Sequence, residues 1–157
     1  MKKILLILTL ILPFIGGCKK DKEVKNPLTQ QIVGQWTLHT PARGSMDRPT
    51  RAQYTFDNDG DFQYSNLVLE PLTNQVLGYQ SKSEGKYRIE GDEIVFYDIV
   101  VYRNEYSKNG YSREDELVKR TSVTSKAFVV ITKDVLKLDF PCPPYVACIG
   151  VFWYQRK

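Results

Sequence analysis

The sequence predicts an all-β domain: an antiparallel up-and-down β-barrel of about eight strands, preceded by an apolar leader and a polar tether. Three observations point there. Apolar and polar residues alternate with period two along most of the chain, helix-period stripes are absent, and short and long connections alternate. In a meander, every second connection falls at the same end. One end is then stitched tight and the other carries the long loops. Strands that close on themselves leave no exposed edge.

The elements follow in order. "IVGQWTLHT" sets Gly34, Trp36 and Leu38 against Val33, Gln35, Thr37 and His39. A long loop, "PARGSMDRP", spans residues 41–49. "TRAQYTFD" puts Ala52, Tyr54 and Phe56 on one face and Arg51, Gln53, Thr55 and Asp57 on the other. "DNDG" at Asp57–Gly60 is a tight turn, and "GDFQYS" continues with Phe62 and Tyr64. Residues 70–80 read as a long loop. Tyr87 and Ile89 then lead to a turn at Glu90–Asp92, followed by an apolar, β-branched run from Ile94 to Tyr102. Residues 103–116 are a long connection whose Asn109–Gly110 signals a hairpin, the tip of a projecting ribbon. Leu117 to Thr132 reads as strand bent near Ser125. Lys133–Asp134 is tight, and "CIGVFWYQR" closes the chain after a longer loop. In that last strand the pairs Val151/Trp153 and Phe152/Tyr154 compete for the inner face.

The chain begins "MKKILLILTLILPFIGGC". Lys2 and Lys3 precede an apolar run from Ile4 to Ile15 and two glycines, the order of a secretory signal peptide over residues 1–17. The run is short for a membrane-spanning helix. "IGGC", Ile15 to Cys18, resembles the lipobox of bacterial lipoproteins. The resemblance implies that Cys18 is lipidated on sulfur, becomes the mature N-terminus and is then N-acylated. Several acyl chains hold a protein stably where one holds it marginally. Lys19 stands where Asp would signal inner-membrane retention, so the resemblance implies an outer-membrane anchor. "KKDKE" also resembles the charged tags of lipoproteins exposed on the cell surface. Residues 18–29 then form a lipidated flexible tether, and residues 30–157 the barrel domain.

About 140 residues remain after the leader, enough for one domain with a real core. The formal charge of +4 falls to about +2 once Lys2 and Lys3 leave, and no basic block marks a nucleic-acid partner. Cys142 and Cys148 remain as a pair in an oxidising compartment, which points to a disulfide closing "CPPYVAC". Such a loop contributes about 2 kcal/mol if unstrained. Two cysteines without a nearby histidine make a poor zinc site.

"GQW" at Gly34–Trp36 resembles the Gly-x-Trp motif that opens the first strand of lipocalins, and Arg156 suits the Arg that this family packs on that Trp late in the barrel. "YTFDNDGDF" and "FVVITKDVLKLDF" look like hairpins of lipocalin-like domains in bacterial lipoproteins. The resemblance implies a closed barrel with its last strand beside its first, so that Arg156 covers the Trp36 ring. Gly34, Trp36 and Arg156 then read as a structural plug of one end.

Tyr54, Phe56, Phe62, Tyr64, Tyr87 and Phe96 either line a pocket for an apolar ligand or fill the core of a small barrel. Buried tyrosine hydroxyls need partners, which favours a pocket. Asp57, Asp59 and Asp61 lack the spacing of a calcium loop and read as a turn. His39 is the single histidine, so no metal cluster is expected, and no nucleophile elbow or phosphate-cradling glycine loop occurs. Asp98 and Glu84 are the carboxylates to watch for acid–base work, with Asp98 inside an apolar run. The expectation is a non-enzymatic protein without cofactor or metal. It is anchored to the outer membrane through acylated Cys18 and binds a small apolar or amphipathic ligand. The alternative is an interaction module with a filled core, an accessory subunit with an envelope protein partner.

Overall fold

The computed structural model describes residues 26–40, 48–105, 107–121, 124–141 and 150–157. The leader, Cys18, most of the tether, Tyr106, Tyr145 and the Cys142–Cys148 pair lie outside the described residues. A short helix α1 (Pro27–Ile32) precedes nine strands: β1 (Gly34–Thr40), β2 (Thr50–Phe56), β3 (Asp61–Leu69), β4 (Val76–Glu90), β5 (Glu93–Arg103), β6 (Val118–Thr121), β7 (Ser125–Thr132), β8 (Val135–Asp139) and β9 (Val151–Arg156). All pairings are antiparallel. The order β1-β2-β3-β4-β5-β7-β8-β9 returns to β1, so eight strands close a barrel, and β6 pairs only with the upper part of β5. The strand expected from Leu117 to Thr132 is thus two strands. Among the described residues, no helix is long and apolar enough to cross a membrane.

Three tight turns, at Asp57–Gly60, Gly91–Asp92 and Lys133–Asp134, gather at one end with α1. The strand ends joined by the longer connections lie at the other. Asp57 organises its turn by accepting from the backbone N–H groups of Asp59 and Asp61 at 2.9 Å. The helix starts at Pro27, inside the segment read as tether. Asn26 caps it, accepting from Leu28 N at 3.0 Å, and Ile32 is fully buried under the barrel with Leu28 packed beside it. Burial of two aliphatic side chains explains a helix too short to stand alone.

Two further expectations are corrected. Residues 76–80 are strand, not loop. The Leu67–Leu69 run pairs with Val76, Gly78 and Tyr79 through two register shifts, which lengthens the β3–β4 hairpin to a connection of residues 70–75. The turn at Asn109–Gly110 is present, with Gly110 at φ +76°, but residues 107–116 do not project as a ribbon. They fold back on β4, where Tyr79 and Ser112 exchange backbone hydrogen bonds of 2.8 and 3.0 Å. Gly78 permits this approach, because a Cβ there would lie 2.6 Å from the Ser112 carbonyl oxygen.

The core is the barrel interior. Trp36, Phe56, Phe62, Tyr87, Ile94, Phe96, Leu136, Leu138 and Tyr154 form one buried cluster. Its rings meet at stacked and edge-on angles, such as Tyr54 on Phe56 at 5.4 Å and Phe62 on Phe96 at 4.9 Å. Such pairs contribute about 1 kcal/mol each beyond the area they bury.

Candidate functional site

The closed end is built on β1 and β9. Gly34 has φ +124°, which only glycine adopts freely, and a Cβ there would come 3.1 Å from Arg156 Nη1. Trp36 faces Arg156 across the strands, and the guanidinium carbon sits 4.2 Å from the ring centroid. The indole Nε1 donates to the Ile32 carbonyl at 2.6 Å. Arg156 donates to the carbonyls of Val33 at 3.0 Å and Gln31 at 2.6 Å. These contacts satisfy carbonyls at the end of α1 that the helix leaves free. Tyr87 belongs to this end too. Its hydroxyl donates to the Asp57 carbonyl at 2.7 Å, and burial with the nearby Asp57 carboxylate pushes its pKa up to about 12.

Toward the long-loop end the accounting changes. Tyr54 and Tyr64 are cross-strand neighbours with ring centroids 4.7 Å apart, and Tyr154 meets Tyr54 edge-on at 5.3 Å. Tyr154 is only 2% exposed and Tyr54 9%. Among the described residues, none of these three hydroxyls has a hydrogen-bond partner. Burial pushes all three phenols up from the ordinary value of 10.0. The Tyr64 hydroxyl adds to the effect on Tyr54, and the hydroxyls of Tyr54 and Tyr64 add to that on Tyr154. The three are therefore electrostatic neighbours that stay neutral.

Asn66 lies two residues beyond Tyr64 on the same face. Its Nδ2 donates to Gln80 at 2.8 Å, while its buried Oδ1 has no partner. On β4 the residues opposite Tyr64 and Asn66 are Ser83 and Ser81, and on β2 Asn66 faces Ala52. Directly opposed residues share a face, so these short side chains border the phenols. Phe140 and Phe152 approach from the loop side, 6.1 Å apart. The arrangement is an apolar floor, a belt of unpartnered hydrogen-bonding groups and an apolar rim. It holds neutral donors and acceptors and no buried carboxylate.

Of the six aromatics singled out from the sequence, Tyr54, Phe56, Phe62, Tyr87 and Phe96 are buried together and Tyr64 is half-buried at their edge. Tyr87 serves the closed end. Tyr154, Asn66, Ser81 and Ser83 were not legible as part of the belt. A signal for Tyr154 did exist: if Arg156 must face inward onto Trp36, period two turns Tyr154 and Phe152 inward as well.

The watched carboxylates do not join the belt. Asp98 is exposed at a bulge, with φ +51°, and Glu84 accepts from the Tyr102 hydroxyl at 3.1 Å. Gly85 lies opposite this bulge, where a Cβ would come 2.9 Å from the Asp98 and Tyr97 carbonyl oxygens. Among the described residues, no group of three or more His, Cys, Asp or Glu side chains is placed to hold a metal ion.

No protein-family model, curated protein sequence or solved structure matches this chain.

Proposed function

We propose that this protein is an outer-membrane lipoprotein, tethered through acylated Cys18, whose barrel binds a small amphipathic or apolar molecule at the long-loop end. One observation carries the reading: the buried rings of Tyr54 and Tyr154 and the half-buried ring of Tyr64 cluster toward the long-loop end, and among the described residues their hydroxyls have no hydrogen-bond partner. Two residues beyond Tyr64, the Asn66 Oδ1 is buried and unpartnered, which costs about 1–3 kcal/mol. A ligand with a few polar atoms on an apolar body would supply the missing partners. The lipocalin-like pattern of Gly34, Trp36 and Arg156 supports the same reading, as does the lipobox at Ile15–Cys18.

The test is native mass spectrometry of protein purified from its own host, beside a Tyr54→Phe/Tyr64→Phe/Tyr154→Phe variant. The expected result is a bound small molecule on the wild type and its loss from the variant. Empty wild-type protein that co-purifies with an envelope complex would favour the interaction module instead. One observation favours that second reading: Phe128, Val130 and Val151 stand 43–51% exposed on the outer wall of β7 and β9.

A further inference from the structure

The outer wall carries a second cluster of unpartnered groups, away from the interior belt. β1 pairs with β2 along its whole length but with β9 only at Trp36–Arg156 and Thr37–Gln155. Above Thr37 the two strands part. The outer faces that meet there bear Trp153 and Gln155 on β9, Thr37 and His39 on β1, and Gln53 and Arg51 on β2. With Lys157 these side chains line a groove of about 500 Å³. That volume lies in the range of small-molecule sites.

Four features define what the groove would hold. Trp153 is 56% exposed. The Lys137 ammonium on β8 lies 5.7 Å from its ring centroid, which leaves one indole face for the groove that the ring lines. Thr37 Oγ1 and Arg51 Nε are buried and unpartnered. Among the described residues Arg51 has no ion pair, and no Asp or Glu lines the groove.

We propose that this groove binds an acidic saccharide, a pyranose ring bearing a carboxylate. The free indole face accepts the flat C–H face of the ring. Gln53, Gln155 and His39 offer donors and acceptors for its hydroxyls. The terminal Nη groups of Arg51 take the carboxylate, with Lys157 adding positive charge. A purely apolar ligand would strand the two glutamine amides. A nucleic-acid backbone would need a longer row of cations than Arg51, Arg156 and Lys157 provide.

The experiment titrates full-length protein with a short oligogalacturonate and with a neutral galacto-oligosaccharide of the same length, reading calorimetry and tryptophan fluorescence. The chain has two tryptophans, and Trp36 is sealed in the core, so a spectral change reports Trp153. The acidic probe is expected to saturate and shift the emission. Arg51→Gln and Trp153→Ala are each expected to weaken it by about tenfold or more, as is the neutral probe. The triple Tyr→Phe variant is expected to bind it unchanged, which separates this groove from the interior site. Absence of binding at millimolar probe, equal affinity for the neutral probe, or indifference to both groove variants would overturn the proposal. Loss of binding in the triple Tyr→Phe variant alone would do the same.

Discussion

Tyr87 and Tyr154 are both buried in the same barrel, yet they stand in opposite conditions. Tyr87, at the closed end, spends its hydroxyl on the Asp57 carbonyl, and around it Trp36 and Arg156 likewise use their N–H groups on backbone carbonyls. Tyr154 lies toward the loops with Tyr54 and Tyr64, and none of the three has a partner among the described residues. The closed end is built to be stable, because each polar group it buries also closes a gap in the backbone hydrogen bonding. The long-loop end leaves its hydroxyls available to a further partner, the usual mark of a place meant for something else. Burial alone does not distinguish structural tyrosines from candidate site tyrosines. Their hydrogen bonds do.

The largest expected effect is at the closed end. Trp36→Ala removes a fully buried indole, its bond to Ile32 and the ring under Arg156. Equilibrium denaturation should show a loss of about 3–5 kcal/mol. A loss under about 1 kcal/mol would mean that the plug is dispensable and the comparison misplaced.

Alkali probes both ends at once. The folded phenols of Tyr54, Tyr64, Tyr87 and Tyr154 all titrate above 10.0, so between that pH and their folded values the native state holds protons that the unfolded chain has released. Stability is therefore full below pH 10 and falls as pH rises beyond it. Ultraviolet difference titration should show Tyr87 ionising at about pH 12. Tyr54 and Tyr154 should ionise only with unfolding. Early ionisation of the latter two would show that water already reaches the belt.

The smallest effect is the sharpest contrast. Tyr87→Phe should cost about 1 kcal/mol, since it leaves the Asp57 carbonyl without its donor. Tyr54→Phe and Tyr154→Phe in ligand-free protein should be neutral or slightly stabilising, because they delete hydroxyls that make no bond. Equal losses at all three positions, measured by denaturant midpoints, would remove the distinction between the ends.

Much of the closed end was legible before any coordinates. The resemblance of Gly34, Trp36 and Arg156 to the lipocalin pattern already implied that Arg156 covers Trp36 once the barrel closes, and the tight turns announce themselves through Asp, Asn and Gly. The α1 helix was hidden because six residues carry too little periodicity to read, and its stability comes from burying Leu28 and Ile32. The belt was half legible. Tyr54 and Tyr64 alternate cleanly, whereas Asn66, Ser81 and Ser83 are ordinary strand residues until register sets them beside phenols. The groove around Trp153 was illegible, since it depends on where β1 and β9 stop pairing.

Local chemistry, then, settled the strand class, the alternation of faces and the turn ends, because side-chain period and backbone preference act within a few residues of one another. Packing settled which tyrosines are satisfied and which are left open. A hydroxyl's partner is a matter of three-dimensional reach, and Tyr87 and Tyr154 differ only in what the closed barrel brings within 3 Å of them.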